Sequence, residues 1–541
     1  LIMFTTRISR YKCIFLLSFL LYQSTLSEVN KNDFSVKSED SNEDLSENHS
    51  LKQESLENNG DETKSDMYSF SGLRIVHLDL KGAPPKVSYL ADFLPLIKRL
   101  GATGVIIEYE DMFPYTQLDI AATNSYSKTD IEGILKICEE NELEVIPLIQ
   151  TFGHLEFFLK LEKFKEIREI GKYPQVVCPT KNATMDVLKV MIDEIIALHP
   201  NSRYIHIGCD EVYHLGRCYS CVKAMVREKW SRKQLFLNHV ATLARYIHDK
   251  YPDVTTLTWD DEFRKISLQE LTESGIGSLV EPVIWKYTPN IKQFLPDKMW
   301  DKYSTVFKNV WIASAFKGAT GPSKYVTDIS YHLENHKAWM KLTSKHRNKT
   351  NIKGIILTGW QRYDHFSILC ELLPVGLPSL ATNLIYLSLN NIKIDELSQK
   401  VGAILNCGPG FLRSNIGSRC GFPGAEIYEG AVKLHNLNDE IKHMMEANVA
   451  KGWFSDYNIE VGISNPSHVE EATFELDRFV IELDILEQEL IKEMNNVYNS
   501  DTINEWVESN IKPIMKTLKT MSNNRERFLA KQVWNKRPFI Q

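Results

Sequence analysis

The sequence predicts an α/β fold, a (β/α)8 barrel followed by a helical C-terminal region, on three observations. Eight short, apolar, β-branched runs recur between residues 73 and 360. Amphipathic stretches of helical spacing separate them. After about residue 385 the strand rhythm stops and only helical periods remain. Continuous apolar runs suit parallel strands buried on both faces. Eight strand–helix alternations over about 310 residues suit a closed barrel. An open doubly wound sheet is the alternative, but no G-x-G-x-x-G turn supports it.

The expected strands are LRIVHLDL (73–80), GVIIEYE (104–110), LEVIPLIQTF (143–152), YIHIGCD (204–210), VTTLTWD (254–260), LVEPVIWKY (279–287), VWIASAF (310–316) and GIILTGW (354–360). Between the first and second, VSYLADFLPLIKRLG (87–101) has a helical period and closes on a glycine suited to end a helix. SKTDIEGILKICEENEL (127–143) opens with a Ser/Thr/Asp start signal. DVLKVMIDEIIALHP and QLFLNHVATLARYIHDKYP behave alike. Residues 69–385 are therefore assigned to the barrel and 386–541 to a helical appendage, with helices expected over 470–498 and 502–521.

Ahead of the barrel the composition changes. Arg7, Arg10 and Lys12 precede a ten-residue apolar stretch, Cys13–Tyr22, followed by small residues. That is the layout of a secretory signal peptide, expected over residues 1–27, with an uncleaved signal-anchor as the alternative. Ten apolar residues are too few to span a bilayer as a helix. Residues 28–68 are Ser/Asn/Glu-rich; between 28 and 67 they hold twelve acids against four bases, and are expected to be a solvated, disordered linker. Most of the chain's net charge of −7 lies there, so the remainder is near neutral and gives no electrostatic case for nucleic acid.

Secretory entry permits disulfides. Cys407 and Cys420 flank a Gly/Pro-rich loop, and Cys218 and Cys221 form a close pair; either could be bridged. A zinc set of Cys218, Cys221 and His214 lacks a fourth ligand, so no metal is assigned. Asn48, Asn182 and Asn348 head glycosylation sequons.

Catalytic residues of such barrels sit at the C-terminal ends of the strands. Those ends carry Asp79, Glu108 to Asp111, Gln150 to His154, Asp210-Glu211, Trp259-Asp260-Asp261, Trp285 to Tyr287, Phe316-Lys317 and Trp360 to Asp364. The result is a carboxylate-rich mouth with an indole on three strands. Such a mouth suits a sugar, whose C–H faces stack on indoles and whose hydroxyls pair with carboxylates. Two carboxyl groups flanking a bond are what glycoside hydrolysis needs. A metal hydrolase lacks its histidines: there is no H-x-H pair on the first strand and no cluster at the others.

HIGCDEV, placed after a barrel strand, resembles the Asp-Glu signature of glycoside hydrolase family 20, the β-N-acetylhexosaminidases. HLDLKGAPPKVSYL, IEYEDMFPY, EVIPLIQTFGH, SAFKGATGPS and GIILTGWQRYDHFSILCELLP carry the same likeness from about residue 72 to about 520. The resemblance implies a retaining mechanism with no enzymic nucleophile, in which the substrate's own 2-acetamido carbonyl attacks C1 to give an oxazolinium ion. It implies Glu211 as general acid/base and Asp210 as the holder of the acetamido N–H, with their repulsion helping to keep Glu211 protonated. Trp259, Trp285 and Trp360 would wall the acetamido pocket and Tyr287 would donate to the acetamido oxygen. His154 would support the acid pair, and Asp79, Glu110, Asp260, Arg362 and Asp364 are further candidates to bind substrate. No cofactor is implied, and the partner is a glycan ending in β-N-acetylhexosamine. Two other readings remain: a non-catalytic sugar-binding barrel, and a hydrolase with its own nucleophile, Asp260 or Glu110.

Overall fold

Eight parallel strands close on themselves in the computed structural model, which describes residues 70–389, 392–408, 411–412 and 419–539. The expected signal segment and acidic linker lie outside the described residues. In chain order the strands are β1 (Leu73–Asp79), β2 (Gly104–Glu108), β3 (Glu144–Leu148), β4 (Arg168–Ile170), β5 (Tyr173–Val177), β6 (Tyr204–His206), β7 (Thr255–Trp259), β8 (Val280–Trp285), β9 (Val310–Lys317) and β10 (Ile352–Gly359). The barrel runs β1-β10-β9-β8-β7-β6-β3-β2, while β4 and β5 form a separate antiparallel hairpin. All eight expected strands are present. The hairpin is not among the expected elements, because its short strands carry too few apolar residues to show a period.

Alternation along the strands sorts the interior into layers. Ile75, Ile106, Ile146, Leu148, Leu257, Val283, Trp311, Ala313 and Ile356 belong to one buried cluster inside the barrel. One or two inward steps further along the strands come His77 and Asp79, Glu108, His206, Trp259 and Trp285. The barrel is thus filled by apolar side chains below and roofed by polar and aromatic ones at its C-terminal end. A larger core packs the outer faces of the strands against the helices.

Local chemistry sets the helix boundaries. Ser127 and Asp130 form a capping box for Lys128–Glu140, as Ser231 and Gln234 do for Arg232–Lys250. Beyond the barrel the expected helical region is present, but in shorter pieces. The stretch 470–498 is divided between Pro466–Ala472 and Leu476–Met494, and 502–521 between Ser500–Asn510 and Lys512–Leu529. The second break has a plain cause: Pro513 lacks an amide hydrogen and disfavours helical geometry just before it, but fits the first turn of a new helix. Cys407 is bonded to Cys420, whereas Cys218 and Cys221 are both free.

The seam between β3 and β6 is the thinnest in the barrel. Only Leu148 and His206 pair across it, whereas β2 and β3 pair over five positions. The connection crossing this seam carries the hairpin, and the chain leaving β6 carries the Asp210–Glu211 pair.

Candidate active site

β6 ends after three residues, and its continuation is kinked. Gly208, Cys209 and Glu211 have φ of 66°, 72° and 47°. Glycine adopts that region freely, whereas Cys209 and Glu211 are strained there. A Cβ at Gly208 would lie 1.9 Å from Gln150 Oε1, and one at Gly153 would lie 2.2 Å from the carbonyl oxygen of Asp210. The loop after β3 therefore packs directly against the acid-bearing segment. The kink cancels strand alternation and brings the neighbouring carboxylates to one histidine. His154 Nε2 lies 3.2 Å from Glu211 Oε2 and 3.6 Å from Asp210 Oδ2.

The two acids are electrostatically unlike. Burial pushes Asp210 up to about 6, with Glu211 adding and His154 opposing. Burial also disfavours charge on Glu211, but the hydrogen bond and charge of His154, helped by the Tyr213 hydroxyl, bring it below the usual carboxylate value. His154 itself is half-buried, yet Asp210, Glu211 and Glu156 together raise it to about 10. In the free site the imidazolium pairs with ionised Glu211, and the acid with raised proton affinity is Asp210. This reverses the expectation from adjacency, because His154 leans toward Glu211 while Asp210 sits deeper. Asp210 Oδ1 is buried without a hydrogen-bond partner in the free protein, so it can accept from a ligand.

Aromatic rings stand beside the acids. Trp285 and Tyr287 stack with centroids 5.3 Å apart, Tyr287 meets Trp360 edge-on at 6.3 Å, and Trp360 meets Trp259 at 6.0 Å. Trp259 is buried, while the other three are partly accessible. Lys286, between Trp285 and Tyr287, points elsewhere, with Nζ 3.9 Å from the Phe294 ring centroid. A surface hollow of about 760 Å³ lies between the Lys128–Glu140 and Asn182–Leu198 helices, and neither acid lines it.

Several expected contacts are already engaged within the protein. Asp260 is turned away from the mouth: it holds Arg264 at 2.5 and 2.8 Å, the Tyr303 hydroxyl at 3.0 Å and the Trp285 amide at 3.3 Å. Asp261 takes the place expected for it. One oxygen accepts from the Glu211 amide at 3.0 Å and the other from Trp285 Nε1 at 3.2 Å. Burial and the charge of Asp210 push Asp261 up to about 7. Arg362 is likewise not free for a ligand. It grips Glu505 at 2.5 and 2.6 Å and donates to the Lys81 and Ser367 carbonyls. Asp364 Oδ1 ties its own turn, accepting from the Phe366 and Ser367 amides. Asp79 accepts from the Gln361 amide at 2.7 Å and pairs with Lys81 at 3.0 Å.

The same ion network holds residues outside the expected set. Lys81 also pairs with Glu108, which meets His77 at 3.1 Å. Glu110, which burial raises to about 7, meets His365 Nδ1 at 2.9 Å, and Lys160 meets the other ring nitrogen at 2.6 Å. Lys160 directly follows the short Glu156–Leu159 helix between β3 and β4, where no sequence pattern marks it. His365 follows Asp364 directly, one residue beyond the polar strand end read from the sequence.

The chain is similar to known glycoside hydrolases. A model of the glycosyl hydrolase family 20 catalytic domain matches residues 94–387. Hexosaminidase D of Homo sapiens is 40% identical over 463 residues, covering 83% of this chain and 93% of that protein. Hexosaminidase D of Bos taurus is 47% identical over 313 residues, covering 57% and 90%. Among solved structures, a β-N-acetylhexosaminidase from Bacteroides fragilis aligns over 61% of this chain and 70% of that one, at 18% identity and a TM-score of 0.47.

Proposed function

The chain belongs to glycoside hydrolase family 20, and from that premise we propose that it is an exo-acting β-N-acetylhexosaminidase. It removes terminal β-linked N-acetylgalactosamine or N-acetylglucosamine from glycoconjugates, with retention and through an oxazolinium intermediate. The observation that carries the mechanism is Asp210 Oδ1, a buried carboxylate oxygen left without a partner beside the aromatic rings. An acetamido N–H is the donor it lacks. Held there, the acetamido group is oriented so that its carbonyl oxygen attacks C1, and the Asp210 carboxylate stabilises the positive charge that develops.

Glu211 protonates the departing glycosidic oxygen and then deprotonates the water that opens the ring. Its proton is near at hand: His154, raised to about 10, holds one 3.2 Å away. A sugar over Glu211 strips water from it, disfavours its charge and draws the proton across. Tyr287, stacked on Trp285, donates to the acetamido oxygen. The alternative nucleophiles are poorly disposed, since Asp260 is committed to Arg264 and Glu110 to His365. A secretory location belongs to the same reading, supported by the layout of residues 1–27 and by exposed asparagines at two sequons, Asn182 and Asn348.

The test is to replace the N-acetyl methyl hydrogens of aryl β-N-acetylhexosaminides by fluorine, one at a time. Each fluorine weakens the carbonyl nucleophile with little change of size, so turnover should fall stepwise. A flat response, with plain β-hexosides also cleaved, would assign the nucleophile to an enzymic carboxylate.

A further inference from the structure

We propose that Glu169, Cys178, Cys218 and Cys221 form a tetrahedral site for a borderline-soft divalent cation, zinc by chemistry, that pins the β4–β5 hairpin to the loop carrying the catalytic acids. Their four donor atoms all lie within 4.8 Å of one another. Cys178 Sγ is 3.2 Å from Cys218 Sγ and 3.4 Å from Cys221 Sγ, and Cys221 Sγ is 3.1 Å from Glu169 Oε2. A zinc ion with bonds to sulfur of about 2.3 Å sets tetrahedral sulfurs about 3.8 Å apart. The two Cys178 pairs need to open by only about half an ångström to receive it.

The surroundings favour a metal over a disulfide. Any disulfide among three thiols strands the third and leaves Glu169 beside it. Glu169, Cys178 and Cys221 are buried, and among the described residues no lysine or arginine pairs with Glu169. A buried carboxylate beside three thiols is costly without a cation. The glutamate is also oriented for ligation: Oε1 accepts from the Arg217 and Cys218 amides at 2.6 and 2.9 Å, which leaves Oε2 toward the sulfurs. Cys218 caps the Tyr219–Glu228 helix and accepts from the Cys221 amide at 3.3 Å, so its sulfur is held at the helix N-terminus. The Thr180 hydroxyl stands 3.2 Å from Cys178 Sγ. The ligands also fit the Cys-x-x-Cys spacing that the sequence offered. Its missing partners come from the hairpin, and His214 instead stacks on Tyr173 at 5.2 Å.

The site would brace the weakest part of the barrel. Two ligands lie on or beside the hairpin in the β3–β6 connection, and two follow the loop that starts at Asp210. Metal binding there displaces the thiol protons and fixes that loop, an action separate from the chemistry at Glu211.

Metal analysis of the full-length protein, purified without chelator and then incubated with zinc sulfate, tests the proposal. One zinc per chain is expected, with a zinc-edge X-ray absorption spectrum showing three sulfurs and one oxygen. Cys178→Ser, Cys218→Ser and Glu169→Gln should each lose stoichiometric zinc, whereas His214→Ala should keep it. The three thiols should resist alkylation until a chelator is added. Zinc no higher in the wild type than in Cys218→Ser, or a disulfide among the three in non-reducing peptide maps, would overturn the site. Because Cys218 is part-exposed and its change to serine is small, that variant serves if Cys178→Ser does not fold.

Discussion

His154 decides how two adjacent carboxylates divide their work. Its charge draws both acids down, Glu211 below the usual value while burial still holds Asp210 up at about 6. The three groups titrate together, so the acid limb of kcat/KM belongs to the set. That limb should fall near pH 6, where the free site gains a proton on Asp210. Replacing His154 by Gln removes the opposing charge, so both acids should hold protons more tightly and the limb should move to higher pH. A pH–rate profile of the variant checks this, and an unmoved limb would detach His154 from the pair. Both stability effects weaken as pH rises, but over different ranges. A histidine raised from 6.5 to about 10 stabilises the fold fully below pH 6.5 and ceases to do so as pH rises through 10. An aspartate raised from 3.8 to about 6 favours folding only in acid, an advantage lost between pH 3.8 and 6. The acid pair was legible in the sequence, but its division of protons was not, because that depends on which carboxylate the histidine leans toward. Asp260 and Asp261 show the same limit: adjacency named both, and only the turn after β7 decides which faces the mouth.

At the scale of elements, the strand ends do two jobs. Arg362, at the end of β10, is nearly buried and holds Glu505 of the Ser500–Asn510 helix through two charged hydrogen bonds. Next to it, the Lys86 amide donates to the Val497 carbonyl and the Tyr498 hydroxyl accepts from the Leu373 amide. The helical region is thus locked onto the barrel beside the polar mouth. Glu505→Leu would leave the Arg362 guanidinium half-paired and buried. After discounting for the part-exposed glutamate, the cost should be about 2 kcal/mol, read as a lower urea midpoint with an unchanged slope. Conserved stability in that variant would show the pair to be dispensable. The barrel strands were visible in the sequence because both of their faces are buried, which writes a continuous apolar run. The hairpin and the role of Arg362 were not, since an antiparallel pair of three and five residues writes no period. A partner 143 residues away leaves no local trace either.

For the whole molecule the open matter is where the enzyme meets its glycans. Residues 1–27 carry the charged-then-apolar layout of a secretory signal, and an acidic, Ser/Asn/Glu-rich stretch follows them. Two independent features of the described residues fit passage through an oxidising lumen. Cys407 and Cys420 are bonded, a pairing suited to such a compartment. Asn182 and Asn348 are both exposed, so a glycan at either would project into solvent without displacing core. Both sequons end on a buried threonine, Thr184 and Thr350. Thr184 is buried and donates to the Cys178 carbonyl at 2.7 Å, which ties the Asn182 sequon to the cysteine cluster, whereas Asn348 lies in the exposed turn between the Ile329–His346 helix and β10. Enzymatic attachment of a glycan needs an accessible, extended sequon, so Asn348 should be modified more completely than Asn182, which begins a helix. Expressed in a eukaryotic host, the protein should appear in the medium or a secretory compartment, begin near residue 28 and shift in mass after glycan removal. Peptide mapping after deglycosylation should show the converted asparagine chiefly at position 348. Unglycosylated protein in the cytosol, still carrying residues 3–27, would refute the secretory assignment and leave the active-site reading untouched.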